Sequence, residues 1–149
     1  MQEQQHDTFL SCDEMLRYEA RRCKDAVHGL ETLGADAAEP GASALREAAA
    51  LERELIELLT DYAARGPQKV LATRLQYTAD SSARQHEPES VDAALRGLIA
   101  LNAEVGDKLR VAAGNDIPAD VAQELDTLWR DVDAQSRRIA MLHVTLRDI

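Results

Sequence analysis

Five polar residues fall on helical faces that are otherwise apolar. Glu19 lies between Leu16 and Cys23. Glu52 lies beside Ala48, Leu55 and Leu59. Asn102 takes the place of an apolar residue between Leu98 and Val105, and Ser136 does so between Val132 and Ile139. His143 sits among Ile139, Leu142 and Leu146. Inward carboxylates and an imidazole are the groups that hold metal ions or move protons. The same residues also have quieter readings. A Glu at the edge of an apolar stripe can reach water with its carboxylate. A buried Asn or Ser can fix helix register or bond to backbone. A His near a chain end is commonly satisfied by a neighbour. Cys12 and Cys23 read as small apolar core residues. Cys12 and His143 form a nucleophile pair only if the fold brings them to one end.

Four long segments must position these residues. Apolar residues recur in them at spacings of three and four, the period of a helix with one buried face. The first runs from about Thr8 to Leu33 and carries Phe9, Cys12, Leu16, Cys23, Val27 and Leu30. The second runs from Gly41 or Ser43 to Arg65 and carries Ala48, Leu51, Leu55, Leu58, Leu59 and Tyr62. The third opens at Pro88-Glu89, ends near Gly114, and carries Val91, Leu95, Leu98, Val105, Leu109 and Ala112. The fourth follows Asn115-Asp116 and runs almost to Ile149. It carries Val121, Leu125, Leu128, Trp129, Val132, Ile139, Leu142 and Leu146. Pro40, Pro67, Pro88 and Pro118 all stand at the breaks between segments, with Gly34, Gly41, Gly66 and Gly114. Each segment is roughly 24–31 residues, or ~36–46 Å if helical, the length of a bundle helix.

The pattern predicts an all-α fold, a four-helix bundle over residues 8–149, with residues 1–7 disordered. Between the second and third helices, residues 69–77 predict a short extra helix. The sharp break at Gly66-Pro67 favours a short route there, which makes the second and third helices antiparallel; the twenty-one residues 67–87, half of them extended, could instead run the bundle's length and make those helices parallel. In such a bundle Glu19, Glu52 and Asn102 fall near mid-helix, with Ser136 about one turn further along. They can meet as one polar layer and satisfy one another.

Composition narrows the function. The 149 residues carry 17 Lys+Arg against 27 Asp+Glu, a net charge of −10. Nucleic-acid binding and attachment to anionic membranes both need clustered basic residues, so neither is expected. Residues Met1 to Asp7 have no basic or apolar leader character, and no run approaches the ~18–20 apolar residues of a membrane span. The two cysteines are eleven residues apart, ~16 Å along one helix, too far for a disulfide with each other. A reduced, cytoplasmic protein is the expectation. No phosphate-binding glycine loop and no Gly-x-Ser-x-Gly occurs.

A mid-bundle layer of inward Glu residues resembles the ferritin-like superfamily, including rubrerythrin-like bundles. The resemblance covers residues 8 to 148. Members that bind two irons place an inward Glu on each of two helices and Glu-x-x-His on the other two. Glu19 and Glu52 match the first two positions. The departures are Leu55 three residues after Glu52, Asn102 where a third Glu is wanted, and Asp133-x-x-Ser136 as the nearest approach to the motif on the fourth helix. The chain therefore reads as a degenerate bundle: a non-enzymatic interaction or scaffold protein without a cofactor, acting through a protein partner. Leu10, Met15, Ile56 and Val111 fall off the main stripes and predict a second strip that pairs two copies as a homodimer. The alternative implied by the resemblance is a ferritin-like protein that oxidises or sequesters iron, with Glu19, Glu52, Asn102, Ser136 and His143 as its metal residues.

Overall fold

The computed structural model describes residues 6–65, 70–78, 90–114 and 118–147. In chain order these form strand β1 (His6–Ser11), helix α1 (Cys12–Gly34), helix α2 (Gly41–Arg65), strand β2 (Val70–Thr78), helix α3 (Val91–Ala113) and helix α4 (Ala119–Arg147). The fold is all-α, with four helices as expected and a two-stranded ribbon appended.

Most of each apolar stripe is buried, with Leu58, Val91, Trp129, Leu142 and Leu146 half-buried against the core. Leu16, Cys23 and Leu30 of α1, Leu55 and Leu59 of α2, Leu95, Val105 and Leu109 of α3, and Val121, Leu125, Val132 and Ile139 of α4 are all within the core. Met15 and Ile56 join it. They are therefore not part of an outward strip; of the residues expected there, Val111 is exposed. Helix ends are set by side chains. Ser90 Oγ accepts from Ala93 N at 3.1 Å and caps α3. Glu39 accepts from both Ser43 N (2.9 Å) and Ser43 Oγ (2.7 Å) at the start of α2. Those bonds hold the Glu39 carboxyl below its ordinary pKa.

Two expectations are corrected. Of the short helix expected over residues 69–77, residue 69 lies outside the described residues and the rest is not helical: Val70–Thr78 is a strand, paired antiparallel with His6–Ser11. Its partners run from His6 opposite Thr78 to Ser11 opposite Val70, with a register irregularity between Phe9 and Ser11. Val70, Thr73, Tyr77 and Thr78 suit an extended backbone, and the ladder satisfies peptide groups that a short isolated helix would leave exposed. The same ladder takes up His6 and Asp7, which were expected to be disordered, and delays the start of α1 to Cys12; residues 1–5 of that expectation lie outside the described residues.

The second correction concerns direction. A Cβ on Gly41, the first residue of α2, would sit 2.9 Å from Val91 Cγ2, the first residue of α3. The two helices start at the same end and run parallel. The chain after α2 must therefore return along the ~37 Å of that 25-residue helix before α3 begins. Helix α1 packs chiefly on α2, and α3 chiefly on α4. These are two antiparallel hairpins, joined where α2 meets α4 and α1 meets α3.

The Gly41–Val91 approach gives a test of direction. Gly41→Ala should destabilise by about 1 kcal/mol through overpacking. Val91→Ala in the same chain should recover most of that loss in urea denaturation. Strictly additive single effects would mean that the two helix starts do not touch.

Candidate functional site

Three helices supply the inward polar residues; Glu52 and Asn102 meet, while Glu19 bonds separately to Arg22. Glu19 and Glu52 are each 0% exposed and Asn102 is 1% exposed. Each sits on its stripe at helical spacing from buried leucines, so helix formation alone turns it inward. Glu52 Oε1 accepts a hydrogen bond from Asn102 Nδ2 at 2.8 Å. The Cys23 thiol, from α1, donates to the same carboxylate. Glu19 Oε1 lies 3.2 Å from Arg22 Nη1, and Arg22 Nη2 reaches Glu104 Oε1 of α3 at 3.1 Å. Three buried oxygens of these polar residues have no hydrogen-bond partner: Glu19 Oε2, Glu52 Oε2 and Asn102 Oδ1.

Burial dominates the electrostatics. It raises the Glu19 carboxyl to about 7, against the charge and hydrogen bond of Arg22, with Glu104 adding to the rise and Lys108 opposing it. It raises Glu52 to about 7, against the hydrogen bonds from Asn102 and Cys23. The Cys23 thiol is pushed well above its usual range, first by burial and then by the nearby Glu52 charge. Lys108 is lowered, chiefly by desolvation. The layer thus holds carboxyl groups that exchange protons near neutrality, and a thiol that is far from a nucleophilic thiolate.

The other two sequence candidates lie elsewhere. Ser136 is half-buried, and its neighbour Gln135 turns inward instead, at 6% exposure. Gln135 Nε2 donates to Leu51 O and to Glu54 Oε1, both at 3.2 Å, while Arg138 Nη1 donates to Gln135 Oε1 at 3.0 Å. Both positions fit the spacing between Val132 and Ile139, one at +3 and the other at +4. Only the tilt of α4 against α2 decides between them. His143 is buried but belongs to the far end of the bundle, where its Nε2 lies 2.6 Å from Asp92 Oδ1 in the first turn of α3. Asp92 is ten residues, ~15 Å, from Asn102 along the same helix. Cys12 opens α1 at the opposite end from His143, so the two make no nucleophile pair.

Sequence reading missed three members of the site. Arg22 was legible as a basic residue three positions after Glu19, a spacing that suits an ion pair. Cys23 was read as plain core, and its bond to Glu52 has no local signal. Gln135 was hidden by the competing spacing. Among the described residues no three His, Cys, Asp or Glu side chains form a group suited to a metal ion. No helix there is long and apolar enough to cross a membrane. Comparison with protein-family models, curated proteins and solved structures finds no match.

Two predictions follow from the burial of the carboxylates. Their folded-state pKa values, near 7, lie above the unfolded values, so the native state binds more protons between pH ~4.5 and ~7. Stability should be greatest in mild acid and fall across that window, by on the order of 3 kcal/mol for each group at most. Urea midpoints at pH 5 and pH 8 measure it, and Glu52→Gln should flatten the profile. Arg22→Met removes the cation from Glu19. It should cost about 3 kcal/mol at pH 8 and clearly less at pH 5, where Glu19 carries its proton.

Proposed function

We propose that this chain is a non-enzymatic scaffold: a helical bundle that acts through protein partners and assembles as a homodimer in the cytoplasm. The observation that supports the reading is the occupancy of the inward carboxylates. Arg22, itself held by Glu104, engages Glu19, and Asn102 and Cys23 engage Glu52. The layer is built from ion-pair and amide partners that knit helices together. It does not resemble carboxylates converging on an open coordination position. The exposed apolar residues Val111, Met141 and Val144 are candidates for partner contact.

A second reading has one observation in its favour. Parallel α2 and α3 joined by a long return connection is the helix order of ferritin-like bundles, which carry one crossover of this kind. On that reading the chain is a ferritin-like protein, and Glu19 and Glu52 offer their second oxygens to iron.

Elemental analysis of the purified protein, with iron, manganese and zinc titrations, separates the two. The scaffold reading expects no stoichiometric metal, and expects Glu19→Leu to raise the urea midpoint, because a packed apolar side chain replaces a poorly compensated buried carboxylate. Stoichiometric metal that is lost in the Glu19→Ala/Glu52→Ala protein would establish the ferritin-like reading instead. Light scattering at about 50 µM should give twice the mass of the chain, since a helix-packed homodimer of modest affinity (Kd near ~1 µM) is almost fully formed there.

A further inference from the structure

The buried polar side chains are not spread through the core. Of the five on the described helices, Glu19, Glu52, Asn102 and Gln135 all lie on one surface, the seam where the α1–α2 hairpin meets the α3–α4 hairpin. His143 lies away from the seam and bonds to Asp92 within the α3–α4 hairpin. The seam's side-chain bonds are polar and cross it at three places. Asn102 reaches Glu52, Arg22 reaches Glu104, and Gln135 reaches the Leu51 carbonyl and Glu54.

The balance of forces differs on the two kinds of contact. Within each hairpin the helices make their most extensive contacts. Across the seam the contact is smaller, and it confines the three unpartnered oxygens of Glu19, Glu52 and Asn102. A buried oxygen without a donor loses its hydration and gains nothing for it, so docking the hairpins carries a penalty that forming them does not. Opening the seam would return all three oxygens to water while leaving both hairpins paired. The chain between α2 and α3 is long enough to span the bundle, so its length does not hold the hairpins together.

We propose that the bundle opens along this seam as a discrete step, with the α1–α2 and α3–α4 hairpins separating as intact units before either unfolds. The open form bares the inner apolar faces of both hairpins, and the polar layer sets how often it is visited. It is a sub-global opening of the kind that supplies mobile, partner-accepting states in small domains. The idea goes beyond the scaffold reading, because it holds whether or not a metal is ever bound.

Cys23 is a built-in probe. It is 0% exposed and bonded to Glu52, whose other partner, Asn102, stands across the seam. In the full chain carrying Cys12→Ala, reaction of Cys23 with dithiobisnitrobenzoate is followed against urea concentration and compared with global unfolding. Labelling is expected from a species at least about tenfold more populated than the unfolded chain, with less than about half the urea dependence of global unfolding, since hairpin separation exposes less surface. Replacing the layer by Glu52→Leu/Asn102→Leu is expected to slow Cys23 labelling by about tenfold or more. Labelling with the full urea dependence and population of global unfolding would overturn the proposal. A leucine layer that folds and leaves the labelling rate unchanged would overturn it too. The urea dependence in the Cys12→Ala chain decides the matter even if the leucine layer fails to fold.

Discussion

Two carboxylates with no access to water sit at the middle of this bundle, and much of the architecture can be read as a response to them. A charged group moved from water into a protein interior loses several kcal/mol unless it is neutralised or paired. Glu19 is met by the Arg22 guanidinium from its own helix, which is itself tied to Glu104 on α3. Glu52 is met by an amide and a thiol, both uncharged, from two other helices. The two sites solve one problem differently. One supplies a counter-charge, and the other lowers the cost of the charge with hydrogen bonds and leaves protonation to do the rest.

Those solutions fix relative helix positions. An apolar core tolerates small slips of one helix past another, because leucine packs acceptably against leucine at several registers. A 2.8 Å bond from Asn102 to Glu52 tolerates far less. The parallel course of α2 and α3 is consistent with this: mid-helix Asn102 meets mid-helix Glu52 and the two helix starts, Gly41 and Val91, also meet. At the far end, His143 and Asp92 register α4 against α3. The surface pairs, such as Arg137 with Asp133 and Arg130 with Asp126, are exposed neighbours on one helix and add little.

The layer also bears on function. The polar groups are confined to one plane of an otherwise apolar bundle, where the helices meet less extensively than within either hairpin, and the two helical hairpins lie on either side of it. An open furrow of about 1020 Å³ lies over the outer face of α2 and reaches α4, lined in part by Glu54, Leu58, Asp61, Asp131 and Gln135. The same Gln135 that bonds across to α2 therefore forms part of the wall of this furrow.

The amino-acid sequence by itself determined the four helices, the faces they bury and the inward placement of Glu19, Glu52 and Asn102. Each of these depends on a period of 3.6 residues and on the few residues around a cap, and such information is local. Tertiary structure alone decided the rest. Val70–Thr78 became a strand because His6–Ser11, far earlier in the chain, supplied a ladder that no local window contains. The direction of α3 depended on the route of a connection whose composition permits either course. Gln135 displaced Ser136 because both satisfy the spacing, and the approach of α2 selects one. Cys23 became a hydrogen-bond donor only when α2 delivered Glu52 to it. Period and capping specify which face of a helix turns inward. What that face meets is set by packing between segments far apart in the chain, where the energies of alternative pairings differ by less than a local pattern can encode.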